Sequence, residues 1–225
     1  MRAQIVLFDG FDPLDVVAPY EVLYAGGTAS GGAVSVELVS AEGPRAVVGG
    51  IGSLALHATA ALDPARADLV LVPGAAGRLE EPGHDADTGE RRQDEPVHVL
   101  LDRALATDLP TLLKAAHDDP DVTLSAVCGG SIILALSGLL NGRYATTHHT
   151  GLDALAAAGV HAVNARVVDD GDLVTAAGVT SGLDLGLHLL EREVGPQIAH
   201  AVEELFAHER RGIVWRHQGH TPTAF

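Results

Sequence analysis

A single cysteine in 225 residues excludes an intrachain disulfide and any metal site built from several thiolates. Basic side chains are scarce too: 14 Lys and Arg stand against 30 Asp and Glu, a formal net charge of −16. A chain this acidic repels phosphate backbones and anionic headgroups, so neither nucleic acid nor a membrane surface is expected as a partner. Long apolar runs are also missing. No stretch approaches the roughly 18 apolar residues that a membrane-crossing helix needs. The apolar start at residues 5–8 is broken by Asp9, too early for a secretion signal, so a cytoplasmic setting is expected. Neither G-x-G-x-x-G nor G-x-x-x-x-G-K-S/T occurs, which removes the two common phosphate-cradling loops.

What remains is globular material, 47% hydrophobic, long enough for one well-cored domain over residues 1–225. Short apolar runs at 4–8, 35–40, 69–72 and 122–127 read as strands. Helical stretches are expected at 14–25, 97–107, 111–117, 129–136, 151–158, 180–193 and 197–209. Gly26-Gly27 is expected to end the first helix. Glycine-flanked segments at 46–52 and 54–57 suggest a small hairpin, and 163–168 with 173–176 suggests another around Asp170-Gly171. Strands alternating with helices predict an α/β fold with a mostly parallel sheet covered on both faces. Residues 79–95 are charged and lack apolar periodicity, and read as an acidic insertion.

The lone Cys128 sits where an apolar strand meets a helix, followed at once by Gly129-Gly130. That pattern predicts a sharp strand-to-helix turn with the thiol raised to the sheet edge. Free N–H groups at the helix start are expected to favour the thiolate, the form that acts as a nucleophile. A buried structural cysteine is the plainer reading of the same residue.

Ligands of parallel sheets bind beyond the C-terminal strand ends. The loops after 4–8, 69–72 and 122–127 therefore converge on one crevice. The first loop brings Asp9, Asp12 and Asp15. By spacing alone, Asp15 is as well placed to cap the helix as to exchange a proton with the thiol. Glu21 is placed either to reach the crevice or to form a surface pair. After the third strand, Gly74 and Ala75 offer backbone N–H groups that, with that of Gly129, would form an oxyanion-type pocket; an ordinary tight turn is the alternative. Thr146-Thr147-His148-His149 has no accompanying carboxylate at a metal-binding spacing, so no metal is expected. His148 is read as lining the crevice or as structural.

These residues also carry a resemblance. Leu14-Asp15-Val-Val-Ala-Pro19-Tyr-Glu21-Val22-Leu23, Val72-Pro73-Gly74, Ser125-Ala-Val-Cys128-Gly-Gly-Ser131, Gly138-Leu-Leu-Asn-Gly142-Arg-Tyr-Ala-Thr-Thr-His148 and Thr175-Ala-Ala-Gly178-Val-Thr-Ser-Gly182-Leu-Asp184 resemble segments of the ThiJ/PfpI superfamily. Within it the chain is most similar to the isonitrile hydratase branch and to the ligand-binding half of AraC-type regulators. The resemblance implies a flavodoxin-like (class I glutamine amidotransferase-like) three-layer sandwich, a homodimer, a reactive Cys128 and an acidic partner at Asp15. It implies a small-molecule substrate and no cofactor. The implied chemistry is attack of Cys128 on an isonitrile, proton exchange by Asp15, and charge stabilisation by the Ala75 and Gly129 amides. A non-catalytic small-molecule or redox sensor, a glyoxalase or deglycase, and an amidase or peptidase are the competing readings. The sequence departs from hydratases at Gly129, where Thr is usual, at Ala75 for Gly, and at His149 for Trp.

Overall fold

A computed structural model describes residues 1–78, 95–221 and 223. Apart from Glu95, the acidic stretch expected at 79–95 lies outside those residues. The chain builds a seven-stranded sheet in the order β10-β11-β7-β6-β1-β2-β5. The strands are β1 (Arg2–Val6), β2 (Ser35–Ser40), β5 (Ala60–Ala61), β6 (Leu69–Val72), β7 (Thr123–Val127), β10 (Val167–Asp169) and β11 (Leu173–Ala176). All pairings are parallel except β10 with β11. A separate hairpin joins β3 (Arg45–Val48) to β4 (Ala55–Ala58), and β8 (Tyr144–Ala145) pairs with β9 (His161–Ala162).

The four residues of β6 are all fully buried, as an inner parallel strand covered on both faces requires. Helices α1 (Pro13–Ala29), α6 (Ser181–Val194) and α7 (Pro196–Phe206) pack together as one layer. Helices α2 (Val97–Leu105), α3 (Leu109–Asp118), α4 (Gly130–Leu136) and α5 (Leu152–Ala157) form contacts among themselves, with α3 and α4 lying on β7. From β2 and β5 the chain returns across β1 to place β6 on its other side. This reversal opens a crevice beyond the C-terminal ends of β1 and β6, beside the end of β7.

One expectation is overturned here. Gly26-Gly27 does not end α1, which runs on to Ala29. These glycines serve close packing instead: a Cβ on Gly26 would lie 2.3 Å from the Leu190 side chain, and one on Gly27 would lie 2.3 Å from the Val34 carbonyl. The break comes at Gly31 and Gly32, whose φ values of +67° and +93° suit glycine.

Candidate active site

Asp12 is the N-cap of α1, its side chain accepting the Leu14 N–H at 2.9 Å. With the cap assigned to Asp12, Asp15 is free of that duty. Asp15 lies in the first turn and is completely buried. One of its oxygens accepts the Gly74 N–H at 2.9 Å. The other meets no N–H or O–H donor among the described residues. The Cys128 thiol is the remaining hydrogen-bonding neighbour of the carboxyl.

Cys128 occupies the turn between β7 and α4 with φ of +55°. A side chain in this left-handed region costs on the order of 1 kcal/mol, so the surroundings must hold it there. They do so from two sides. The Cys128 N–H lies 3.0 Å from the carbonyls of Ala176 and Ala177, and the buried Thr147 hydroxyl donates to the Cys128 carbonyl at 2.6 Å. Two glycines make the turn sterically possible. A Cβ on Gly130 would meet the Val72 carbonyl at 2.1 Å, and one on Gly74 would meet the Gly129 nitrogen at 2.6 Å.

The electrostatics reverse the expected ionisation. The Gly129 N–H does bond the sulfur and favours its anion, but burial outweighs it. Burial, then the negative charge of Asp15, push the thiol well above its ordinary value. Burial, then the nearby Asp12, raise the Asp15 carboxyl to about 8, against smaller opposing effects of the Gly74 and Cys128 hydrogen bonds. Asp12 is raised too, chiefly by burial. At neutral pH the pair therefore rests as thiol and carboxylic acid, not as thiolate. Desolvation outweighs the helix terminus, and the carboxyls of Asp15 and Asp12 add to it.

The thiol opens into a cleft of about 910 Å³. The structure brings Cys128, Gly129, Ala75 and His148 to its lining, with Asp15 and Gly74 directly behind the sulfur. The Ala75 N–H makes no hydrogen bond among the described residues. Its nitrogen lies 3.8 Å from an ideal Cβ built on Gly129. His148 bonds Thr150 at 2.8 Å and stacks on His149, and burial lowers its affinity for a proton. Among the described residues no histidine is among the leading influences on the Cys128 thiol. Glu21 is not brought to the site. It is exposed on α1, outside the cleft.

Several lining residues carried no signal readable in the sequence. Ile51, at the tip of the β3–β4 hairpin, reaches the cleft because the hairpin docks on the loop after β1: Gly10 donates to Val48 at 2.8 Å and Gly50 to Phe11 at 2.9 Å. Leu101 of α2, Ile132 of α4 and Val179 complete apolar walls, and Arg78 stands at the same cleft. Among the described residues no group of three or more His, Cys, Asp or Glu could hold a metal ion.

Residues 102–192 match the DJ-1/PfpI family. The chain is 33% identical to an isonitrile hydratase of Pseudomonas putida over 203 residues, 90% of this chain and 76% of that protein. It is 40% identical to the HTH-type transcriptional regulator CdhR of Pseudomonas aeruginosa over 91 residues, 40% of this chain but only 27% of the regulator. In fold it is similar to DJ-1beta of Drosophila melanogaster, with a TM-score of 0.74 at 17% identity, covering 93% of this chain and 98% of that one. Both the sequence match and the shared parallel sheet lead to one conclusion: the chain belongs to the DJ-1/PfpI family.

Proposed function

We propose that the protein is a cysteine-dependent isonitrile hydratase. The observation that carries this reading is the fully buried Asp15 carboxyl set directly behind the Cys128 thiol, which itself lines a cleft with apolar walls. The first step of a Cys-dependent hydration adds sulfur and hydrogen to the same isonitrile carbon. The Cys128 sulfur bonds the terminal carbon, that carbon takes up the proton through Asp15, and an S-formimidoyl thioester (thioimidate) results. Water then attacks the thioimidate carbon, one of its protons passes to nitrogen and the other to sulfur, and the C–S bond breaks as the oxygen becomes the formamide carbonyl. The N-substituted formamide leaves with nothing oxidised or reduced. A resting pair that keeps its proton suits this addition better than a bare thiolate, since the proton must arrive at the carbon that the sulfur attacks. In this reading the Ala75 and Gly129 amides stabilise charge in the water-attack step.

The kinship at 33% identity to an isonitrile hydratase supports the same reading. Among the described residues no histidine is a leading influence on the thiol, which weighs against a peptidase or amidase, whose nucleophile needs a base. A ligand sensor is the second reading, favoured by the 40% identity to a transcriptional regulator. The homodimer implied by the resemblance stays with this proposal and is checked by sedimentation velocity.

The test offers isonitriles, methylglyoxal and peptides to the wild-type chain and to Cys128→Ala. Formamide release by the wild type alone supports the hydratase. Tight isonitrile binding without turnover in either chain transfers the site to the sensor reading.

A further inference from the structure

One arginine, outside the cleft, grips the loop behind Cys128 at both ends. Arg166 immediately precedes β10, and its carbonyl accepts the Ala177 N–H at 3.0 Å. Its guanidinium reaches the far end of the same loop. Nη2 donates to the Thr180 carbonyl at 2.8 Å and lies 3.1 Å from the Thr180 hydroxyl. The residues so spanned touch the site. The Ala177 carbonyl accepts the Cys128 N–H at 3.0 Å. Gly178 lies against His148, since a Cβ there would meet the imidazole at 2.8 Å. Val179 lines the cleft.

The guanidinium is itself held in place. Nε donates to Asp184 Oδ2 at 2.6 Å, and Asp184, in the first turn of α6, is 3% exposed. Its other oxygen accepts the Arg211 N–H at 2.8 Å and lies 3.5 Å from His208 Nε2. The segment after α7, the start of α6 and the 177–180 loop therefore meet on one buried carboxylate. A planar fork meets this demand, because Nε and Nη2 address two separate acceptors at once, and a single ammonium cannot.

We infer that Arg166 is a positioning residue for Cys128, bracketing the 177–180 loop so that the strained turn keeps its backbone acceptor and the sulfur stays shielded from water. With φ at +55°, Cys128 holds its conformation only while its surroundings enforce it. One of the two carbonyls that hold its N–H belongs to this loop. Freeing Thr180 loosens the loop's far end, lets Val179 leave the cleft wall and brings more water to the sulfur. Water eases ionisation of a thiol that burial suppresses, so the sulfur becomes more reactive towards alkylation. Turnover moves the other way, because the loosened sulfur no longer meets the reacting carbon in line. For turnover this rests on the hydratase reading above; for thiol reactivity it does not.

The test compares Arg166→Lys with Arg143→Lys. Arg143 makes a similar fork to Asp170 and Asp172 at the opposite end of β10 and β11, and it does not line the cleft. Circular dichroism and melting curves first establish that both variants are folded. Should Arg166→Lys not fold, Asp184→Asn, which keeps an acceptor for the Arg211 N–H, takes its place. Alkylation of Cys128 by iodoacetamide at pH 7 is expected to quicken by roughly fivefold or more in Arg166→Lys, with its pH profile shifted down. With tert-butyl isonitrile, kcat should fall by roughly tenfold or more, further than KM rises. Arg143→Lys should stay within about twofold of wild type in both measurements. Alkylation unmoved in Arg166→Lys, or quickened equally in Arg143→Lys, overturns the inference. If the wild type hydrates no isonitrile yet the alkylation contrast appears, the hydratase reading fails and the bracket stands. If the wild type hydrates the isonitrile and neither contrast appears, the hydratase reading stands and the bracket is refuted.

Discussion

Asp15, fully buried, lies directly behind the Cys128 thiol, so charging either group opposes charging the other. Burial raises the carboxyl to about 8 and the thiol further still, and the Asp15 charge adds to the burden on the sulfur. The two titrate as a unit, with one charge appearing near neutrality's upper edge and a second much later.

Alkylation and hydration should therefore respond to pH in opposite directions. Alkylation of Cys128 by iodoacetamide needs thiolate, so its rate should keep climbing beyond pH 9. Hydration needs the proton on the pair, so kcat/KM should decline as pH rises through about 8. An alkylation plateau reached by pH 7 would show that the thiol ionises as the turn geometry alone suggests, and would remove the neutral pair.

Asp15→Asn should trade activity for stability. In the unfolded chain the carboxyl has a value near 3.8, and in the folded protein about 8. Between those values the native state holds a proton that the unfolded state has released. Stability therefore drops as pH increases across that window and levels off above it. Asparagine keeps an acceptor for the Gly74 N–H and has no such titration. The variant should melt higher than wild type at pH 8, by on the order of a few kcal/mol, with the advantage shrinking towards pH 4. Its kcat should fall by roughly 10²–10⁴-fold, as expected for loss of a proton-transfer group. Glu21→Gln, outside the cleft, should leave kcat within twofold; comparable losses in both variants would contradict the assignment.

The turn at Cys128 offers a backbone test. With φ at +55°, glycine is the one residue that relieves the strain. Cys128→Gly should be more stable than Cys128→Ala by about 1 kcal/mol in urea titrations. Equal midpoints would mean that the turn relaxes when the sulfur is gone.

Thr147→Val removes the hydroxyl that donates to the Cys128 carbonyl at 2.6 Å. The part-buried carbonyl loses its partner, so a loss of about 1 kcal/mol is expected in denaturant unfolding. The freed turn should also lower kcat more than it raises KM. A change in KM alone would assign Thr147 to the substrate wall instead.

Much of this was legible in the chain because it is encoded locally. The buried run at 69–72 is β6, the alternating run at 35–40 is β2, and the strand–Cys–Gly–Gly–helix pattern is the turn at Cys128. Gly26-Gly27 was misread because a glycine pair that breaks a helix and one that lets Leu190 and the Val34 carbonyl approach look the same in sequence. The two-residue strands β5, β8 and β9 carried too little pattern to be seen. Ile51 reached the cleft only through the docking of its hairpin on the first loop.

The order of apolar runs, glycines and one thiol determined by itself that a parallel sheet would carry a cysteine at its edge, since backbone conformation follows from neighbours along the chain. The state of that cysteine was decided by tertiary structure alone. Protonation depends on how much water reaches the sulfur and which charges lie near it. Asp12 took the helix cap, Asp15 was sealed in behind Gly74, and Glu21 was left in solvent. Those three carboxylates occur within ten residues, and only folding distinguishes them.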